Sequence, residues 1–242
     1  MADSSFDIVS KYDRQEVANA VSTVVGVVLA AGQGRRMGRP KALLPHPATG
    51  RTLVEETVCR VATAGVRRLI VVTGAAGPEV EAMLLSGAWA VGARLRRRVE
   101  VLLVECPDFA EGIGASLRTG LKALADLTDP PAASSGDAAL VTLIDLPDVG
   151  AEVYRRLLRS ARAQAPVRRR AGLARAAYQG VPGHPVVLGR EHWAGIAASA
   201  AGDQGARDYL RTHLARLIEC GDLATGRDVD APGDWQRLEG GG

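Results

Sequence analysis

Two kinds of hydrophobic pattern alternate along the chain. Runs rich in β-branched residues at 24–30 (VVGVVLA), 68–73 (RLIVVT), 99–104 (VEVLLV) and 139–144 (ALVTLI) are largely apolar at successive positions, so both faces of each strand need cover. Segments 53–64, 78–86, 115–127 and 151–165 read instead as helices. Tyr154, Leu157 and Leu158 share one helical face, and Leu117, Leu121 and Leu124 share another. A last strand is predicted at about 214–220. This alternation predicts an α/β fold: a mostly parallel, doubly wound sheet with helices on both faces and right-handed crossovers.

Composition narrows the class. With 242 residues, 47% of them hydrophobic, the chain can bury one sizeable core. Thirty basic residues face 27 acidic ones, a net charge of +3, and only nine residues are aromatic; neither figure suits a nucleic-acid-coating protein. No apolar run approaches the roughly 20 residues that cross a membrane. Cys59, Cys106 and Cys220 are widely spaced and odd in number, forming neither a disulfide framework nor a CxxC metal site, which suits a reducing cytoplasm. Segment 128–137 (TDPPAASSGD) reads as a surface loop, and the basic clusters 94–98 and 168–170 as solvated faces. Only Lys11, Lys41 and Lys122 are lysines among the 30 cations, so Lys41 stands out in the motif that follows.

After the first of these strands comes Leu29-Ala-Ala-Gly32-Gln-Gly34-Arg35-Arg36-Met37-Gly38-Arg39-Pro40-Lys41. A glycine-rich turn at the carboxyl end of a strand presents backbone N–H groups to phosphate oxygens, and Arg35 and Lys41 add fixed positive charge. It is no P-loop, because Pro40 precedes Lys41 and Ala42 follows it. Nor is it a dinucleotide fingerprint: the spacing is GxGxxxG, and the second strand ends at Thr73-Gly74 without a carboxylate. Asp145 closes an apolar strand, with Pro147 blocking an immediate helix, so its carboxylate is expected at the carboxyl edge of the sheet, where a hard oxygen beside a triphosphate suits Mg²⁺.

The thirteen-residue string resembles the LAAGxGxRMGxPK signature of the MobA-like nucleotidyltransferases, most closely the molybdenum cofactor cytidylyltransferases. Matches continue in order at 43–45 (LLP), 111–118 (EGIGASLR), 145–149 (DLPDV), 183–186 (GHPV), 202–207 (GDQGAR) and 228–234 (DVDAPGD). The resemblance spans about residues 24–238 and implies a single Rossmann-like, GT-A-like domain over 24–242. Residues 1–20 resemble only the amino terminus of YajQ-type proteins, so 1–23 read as an appended leader, a helix or a flexible arm. The resemblance implies catalytic roles for Arg35, Lys41 and Asp145, with Asp230 facing Asp145 across Mg²⁺. It places the nucleotide and acceptor against Leu29, Ala30, Ala31, Gly32, Gly34, Lys41, Gly74, Gly112, Ser116, His184, Asp203 and Arg207.

Several of these residues have a second reading. Ser116 and Asp203 fit ordinary helix N-caps, Asp228 and Asp234 turn residues, His184 a plain turn position. Arg207 either reaches an acceptor phosphate or serves structure. The implied reaction is Mg²⁺-dependent transfer of a nucleotidyl group, CTP favoured, to an acceptor phosphate such as molybdopterin, with a molybdoenzyme or its chaperone receiving the product. Rivals are the same chemistry on a sugar phosphate or another cofactor phosphate, a dinucleotide oxidoreductase, and a non-catalytic nucleotide-binding protein. Cys106-Pro107, Ile113 and Ala231-Pro232-Gly-Asp234 depart from the family pattern and leave the base and acceptor open.

Overall fold

A computed structural model describes residues 6–9, 24–87, 99–127, 136–231 and 233–234. In chain order its elements are β1 (Phe6–Val9), β2 (Val24–Leu29), α1 (Leu53–Thr63), β3 (Arg68–Thr73), α2 (Gly77–Leu85), β4 (Val99–Glu105), α3 (Ile113–Leu127), β5 (Ala138–Leu143), α4 (Ala151–Arg162), α5 (Pro166–Arg170), β6 (Leu173–Tyr178), β7 (Val181–Gly189), α6 (Trp193–Ser199), α7 (Arg207–Thr212) and β8 (Arg216–Glu219). The strands form one sheet in the order β1-β4-β3-β2-β5-β7-β6-β8. Pairing is parallel from β1 through β5, antiparallel on both sides of β7, and parallel again between β6 and β8.

Strand alternation sorts the core into two layers. Val24 and Val28 face a layer built with Val54 and Val58 of α1, Val80 and Leu84 of α2, and Leu157 and Leu158 of α4. Val25, Val27 and Leu29 face the other layer, with Leu117, Leu121 and Leu124 of α3, Trp193 and Ile196 of α6, and Leu210 of α7. Both faces of β2 are therefore dry, as its unbroken apolar run requires. Helix α1 opens on a capping box in which Thr52 and Glu55 satisfy each other's backbone N–H groups. Among the described residues, no helix is long and apolar enough to cross a membrane.

Four expectations change. Phe6–Val9 form a strand parallel to β4, where a helix or flexible arm was expected. The hairpin β6–β7 was not foreseen: LARAAY is rich in helix formers, and Pro182, Gly183 and Pro185 are poor strand residues. Run 168–170 is no solvated loop face, because it lies in α5 and holds buried Asp137. Arg169 Nη1 reaches Oδ2 at 2.7 Å and Arg170 Nε reaches Oδ1 at 2.8 Å. Ser116 caps nothing, since α3 begins three residues earlier and buries it. The basic cluster 94–98 and residues 128–135 of the expected loop lie outside the described residues.

Gly120 brings α3 down onto the sheet; a Cβ there would stand 2.7 Å from Val27 Cγ1 and 3.1 Å from Val72 Cγ2. Gly120→Val should overpack this contact and lower stability by about 1–3 kcal/mol, measured by urea unfolding. An unchanged midpoint would contradict the close packing.

Candidate active site

The chain runs from β2 outward to β3 and β4, then returns to place β5 on the other side of β2. This reversal opens a crevice at the carboxyl ends of the strands, where open α/β sheets bind ligands. A cleft of about 460 Å³ lies there. Its wall includes Leu29, Ala31, Gly32, Gly34, Arg35, Lys41, Gly112, Ser116, Asp145 and Asp203, all expected from the sequence.

The loop after β2 folds back on itself. Gly34 has φ +62°, and a Cβ there would lie 2.0 Å from the Arg39 carbonyl oxygen, so only glycine closes this turn without strain. Two 3₁₀ turns follow, Arg35–Met37 and Lys41–Leu43, separated by Pro40. Arg35 is exposed on the cleft wall and donates from Nε to Gln33 Oε1 at 2.5 Å. Lys41 points inward, and its ammonium donates to Asp145 Oδ2 at 2.8 Å and also to Asp230 Oδ1.

Asp230 arrives from the far end of the chain because Val229 N–H donates to the Asp145 carbonyl at 2.9 Å. Asp234 accepts from the N–H groups of Asp230 and Ala231, so it shapes this turn locally, as its turn reading anticipated. The other oxygen of Asp145, Oδ1, is buried without a hydrogen-bond partner among the described residues. Burial pushes the Asp145 carboxyl above the usual aspartate value against the pull of Lys41, and the charges of Asp228 and Asp230 push the same way. Burial acts to lower the Lys41 pKa, yet contact with Asp145 and Asp230 outweighs it and holds the ammonium above the ordinary lysine value. Asp230 also pairs with the exposed Arg36 at 3.5 Å, and the charge of Asp228 reaches Asp145, so three carboxylates stand against two cations at this end of the sheet. An orphaned carboxylate oxygen within that excess fits a hard divalent cation held by Asp145 and Asp230. No group of three or more His, Cys, Asp or Glu side chains is placed to hold a metal among the described residues, so water or phosphate oxygens would complete its shell.

A second network, absent from the sequence expectations, braces the loop behind Asp145. Arg60 Nη1 donates to the carbonyls of Pro147 (2.7 Å) and Val149 (3.2 Å), and its Nε pairs with Glu56 at 2.7 Å. Buried His46 accepts the Ala48 N–H at Nδ1, and its Nε2 lies 2.9 Å from both the Pro147 carbonyl oxygen and Arg60 Nη2. Such side chains carry no local motif; their roles exist only once α1 packs against the 145–149 loop.

The remaining expected residues sit elsewhere. Ala30 is buried, its N–H on the Val72 carbonyl, and Gly74 lies behind the wall, where a Cβ would meet the Ala31 carbonyl at 2.7 Å and Phe109 Cγ at 2.8 Å. His184, on β7, and Arg207, opening α7, are outside the lining, as is Asp230 at its rim. Asp203 caps no helix; it lies in a 3₁₀ turn against Gly112, whose φ is +111° and whose Cβ would meet Asp203 Oδ1 at 2.6 Å. Lining residues the sequence reading missed include Gln33, Arg36, Phe109, Glu111 and Ile113, several within the matched motifs.

The description MobA-like NTP transferase domain matches residues 26–217. Asp145 lies inside that stretch and Asp230 outside it. The chain is 35% identical over 225 residues to nicotine blue oxidoreductase of Paenarthrobacter nicotinovorans, covering 89% of this chain and 96% of that protein. Among solved structures it resembles Rv0371c of Mycobacterium tuberculosis in complex with manganese, at 25% identity and TM-score 0.61 over 90% of this chain and 98% of that one. It also resembles a nucleotidyl transferase from Methanothermobacter, at 25% identity and TM-score 0.64 over 90% and 96%.

Two outcomes test the bracing network. Arg60→Met should cost about 2–3 kcal/mol in urea unfolding, as charge-assisted bonds to buried carbonyls are lost; a loss below the error of the measurement would remove Arg60 from the brace. Burial acts to raise the Glu56 pKa, but Arg60 and Arg51 hold it below the ordinary 4.5. The unfolded chain therefore takes up this proton first, and stability should fall as the pH drops below about 4.5. Glu56→Gln should flatten that part of the profile, and a profile identical to wild type would contradict the pairing.

Proposed function

Since this chain belongs to the MobA-like NTP transferase family, we propose that it transfers a nucleotidyl group from an NTP, CTP favoured, to an acceptor phosphate, with molybdopterin as the first candidate. The observation that carries this reading is the meeting of Lys41, Asp145 and Asp230 beside a glycine turn at the switch point of the sheet. An acceptor phosphate oxygen attacks the α-phosphorus, a new P–O bond forms, and the bond to the β-phosphate oxygen breaks to release pyrophosphate. The nucleophile is already ionised, so no general base is required of the protein.

Catalysis by these residues is positional and electrostatic. The turn at Gly32–Gly34 lets backbone N–H groups approach the phosphates, and Arg35 lies exposed on the wall to meet them. Lys41, on a four-carbon stem, is within reach of both the carboxylates and the loop, so it can shift its charge to the triphosphate. Asp145 and Asp230 would hold Mg²⁺, which when bound supplies further neutralisation of the phosphate charge. We assign the transferase to residues 24–242 and the leader to 1–23, of which Phe6–Val9 add a strand to the edge of the transferase sheet, and we place the protein in the cytoplasm, where three buried free cysteines suit reducing conditions. A molybdoenzyme or its chaperone would receive the product.

A second reading is favoured by the relative from Paenarthrobacter: oxidation or reduction of a small organic compound in the same cleft. The glycine spacing and the end of β3 at Thr73-Gly74 argue against a dinucleotide fingerprint, so this reading stands behind the first.

Pyrophosphate release measured with each of the four common NTPs, Mg²⁺, and molybdopterin or its molybdenum-bound form should be greatest with CTP. No release with any pair would overturn the cytidylyltransferase reading, and acceptor-dependent oxidation of a nicotinamide cofactor would establish the second. Asp145→Asn should abolish turnover with the circular dichroism spectrum retained; wild-type turnover would show the metal site to be misplaced. Lys41→Ala should raise the KM for NTP far more than Lys122→Ala on the exposed face of α3, and equal effects would remove Lys41 from the triphosphate site.

A further inference from the structure

The cations that line the cleft, Arg35, Arg36 and Lys41, all come from the segment after β2. Another part of the lining carries none. Phe109, Glu111, Gly112, Ile113 and Ser116 come from the turn before α3 and its first residues, and Asp203 from the turn after α6. Charge draws a triphosphate to the first set, so the nucleoside part of an NTP is left to the second.

The two turns of this wall meet backbone to backbone. A Cβ on Gly112 would stand 2.7 Å from the carbonyl carbon of Gly202, and one on Gly114 2.8 Å from the backbone N of Ala201. Within the turns the hydrogen bonds are long: Gly112 N–H donates to the Phe109 carbonyl at 3.2 Å, and Gln204 N–H to the Ala201 carbonyl at 3.3 Å. Close approach shapes this seam, but glycines bring no side chain to hold it.

Arg118 of α3 supplies that hold, although it lies outside the lining itself. Its Nη1 donates to the Ala200 carbonyl at 2.7 Å and its Nη2 to Glu111 Oε2 at 2.6 Å. Glu111 ends the 3₁₀ turn Phe109–Glu111, and Ala200 follows the last residue of α6, where a helix leaves carbonyls without an intrahelical donor. One guanidinium therefore fastens both turns. An exposed Arg–Glu pair alone contributes little. Here the Arg118 side chain is 35% exposed against 58% for Glu111, and its bond to the carbonyl fixes the planar fork at a second point.

We propose that Arg118 is a positioning residue for base selection: by tying Glu111 to Ala200 it fixes the wall on which the nucleoside part of the NTP lies. This rests on the reading of the chain as an NTP transferase. A wall free to shift accommodates a second base at little cost, whereas a fixed one leaves the wrong base's polar groups unpaired. Lysine at this position keeps the charge but lacks the two-nitrogen fork that meets both acceptors.

The test compares the full wild-type chain with Arg118→Met, Arg118→Lys, Glu111→Ala and the double variant Arg118→Met/Glu111→Ala. Hydrogen–deuterium exchange at pH 7, without ligand, reads the wall itself. Arg118→Met should speed exchange at least about threefold in both 109–113 and 201–205, with the amides of β2 unchanged. In turnover, the ratio of kcat/KM for the preferred NTP to that for each other NTP should fall about fivefold in Arg118→Met and in Glu111→Ala. The double variant should lose no more than either alone, and Arg118→Lys should recover only part of the ratio. Unchanged exchange in either segment overturns the tie, whatever the turnover. Faster exchange with an unchanged ratio, or fully additive losses in the double variant, overturns the role in base selection. Faster exchange in both segments, with no nucleotidyl transfer by any protein including wild type, would reject the transferase reading and base selection with it, and keep the tie.

Discussion

One ammonium between two carboxylates organises the end of this sheet. Lys41 joins the loop after β2 to the residue after β5 and to the segment that returns from β8, three pieces far apart in sequence. The pairing is incomplete: Asp230 also meets Arg36, the charge of Asp228 bears on Asp145, and one Asp145 oxygen is left without a partner among the described residues. The proposed cation site rests on this orphaned oxygen, and Lys41 occupies the two carboxylates in the structure.

The fold places these groups by ordinary means. Reversal of strand order around β2 opens the crevice, and dry packing on both faces of β2 fixes its end. The brace of Arg60, Glu56 and His46 holds the carbonyls of Pro147 and Val149, so the chain leaving Asp145 is fastened to α1. On the opposite side, Gly112 and Gly114 let the start of α3 touch the backbone of residues 201–202, a contact that any Cβ would obstruct. A cleft assembled in this way borrows its rigidity from secondary structure on both layers.

What could be read from the chain follows the range of the interactions. Strands β2, β3 and β5 were legible because burial on both faces leaves a nearly unbroken apolar run, β4 because only Glu100 interrupts its apolar residues, and α3 and α4 because their buried faces repeat at helical spacing. The glycine loop was legible as a close turn at the end of β2, and Asp145 as a carboxylate at the sheet edge. The hairpin β6–β7 was not, because its strands are held by neighbours rather than by their own alanine, proline and glycine residues. The direct Lys41–Asp145 contact joins two residues 104 positions apart, and nothing local in either motif announces it. His46 and Arg60 were overlooked for the same reason: each acquires its surroundings only after distant elements pack.

The proposed divalent-cation site at Asp145 and Asp230, whose carboxylates Lys41 occupies in the structure, is tested most directly by Mn²⁺ binding followed by electron paramagnetic resonance. The lysine should keep binding weak in the absence of nucleotide, and CTP should tighten it at least about tenfold by drawing Lys41 onto phosphate; Lys41→Met should bind the ion without nucleotide more tightly than wild type does. Tight binding to the wild-type protein alone, unchanged by CTP and by Lys41→Met, would contradict this arrangement.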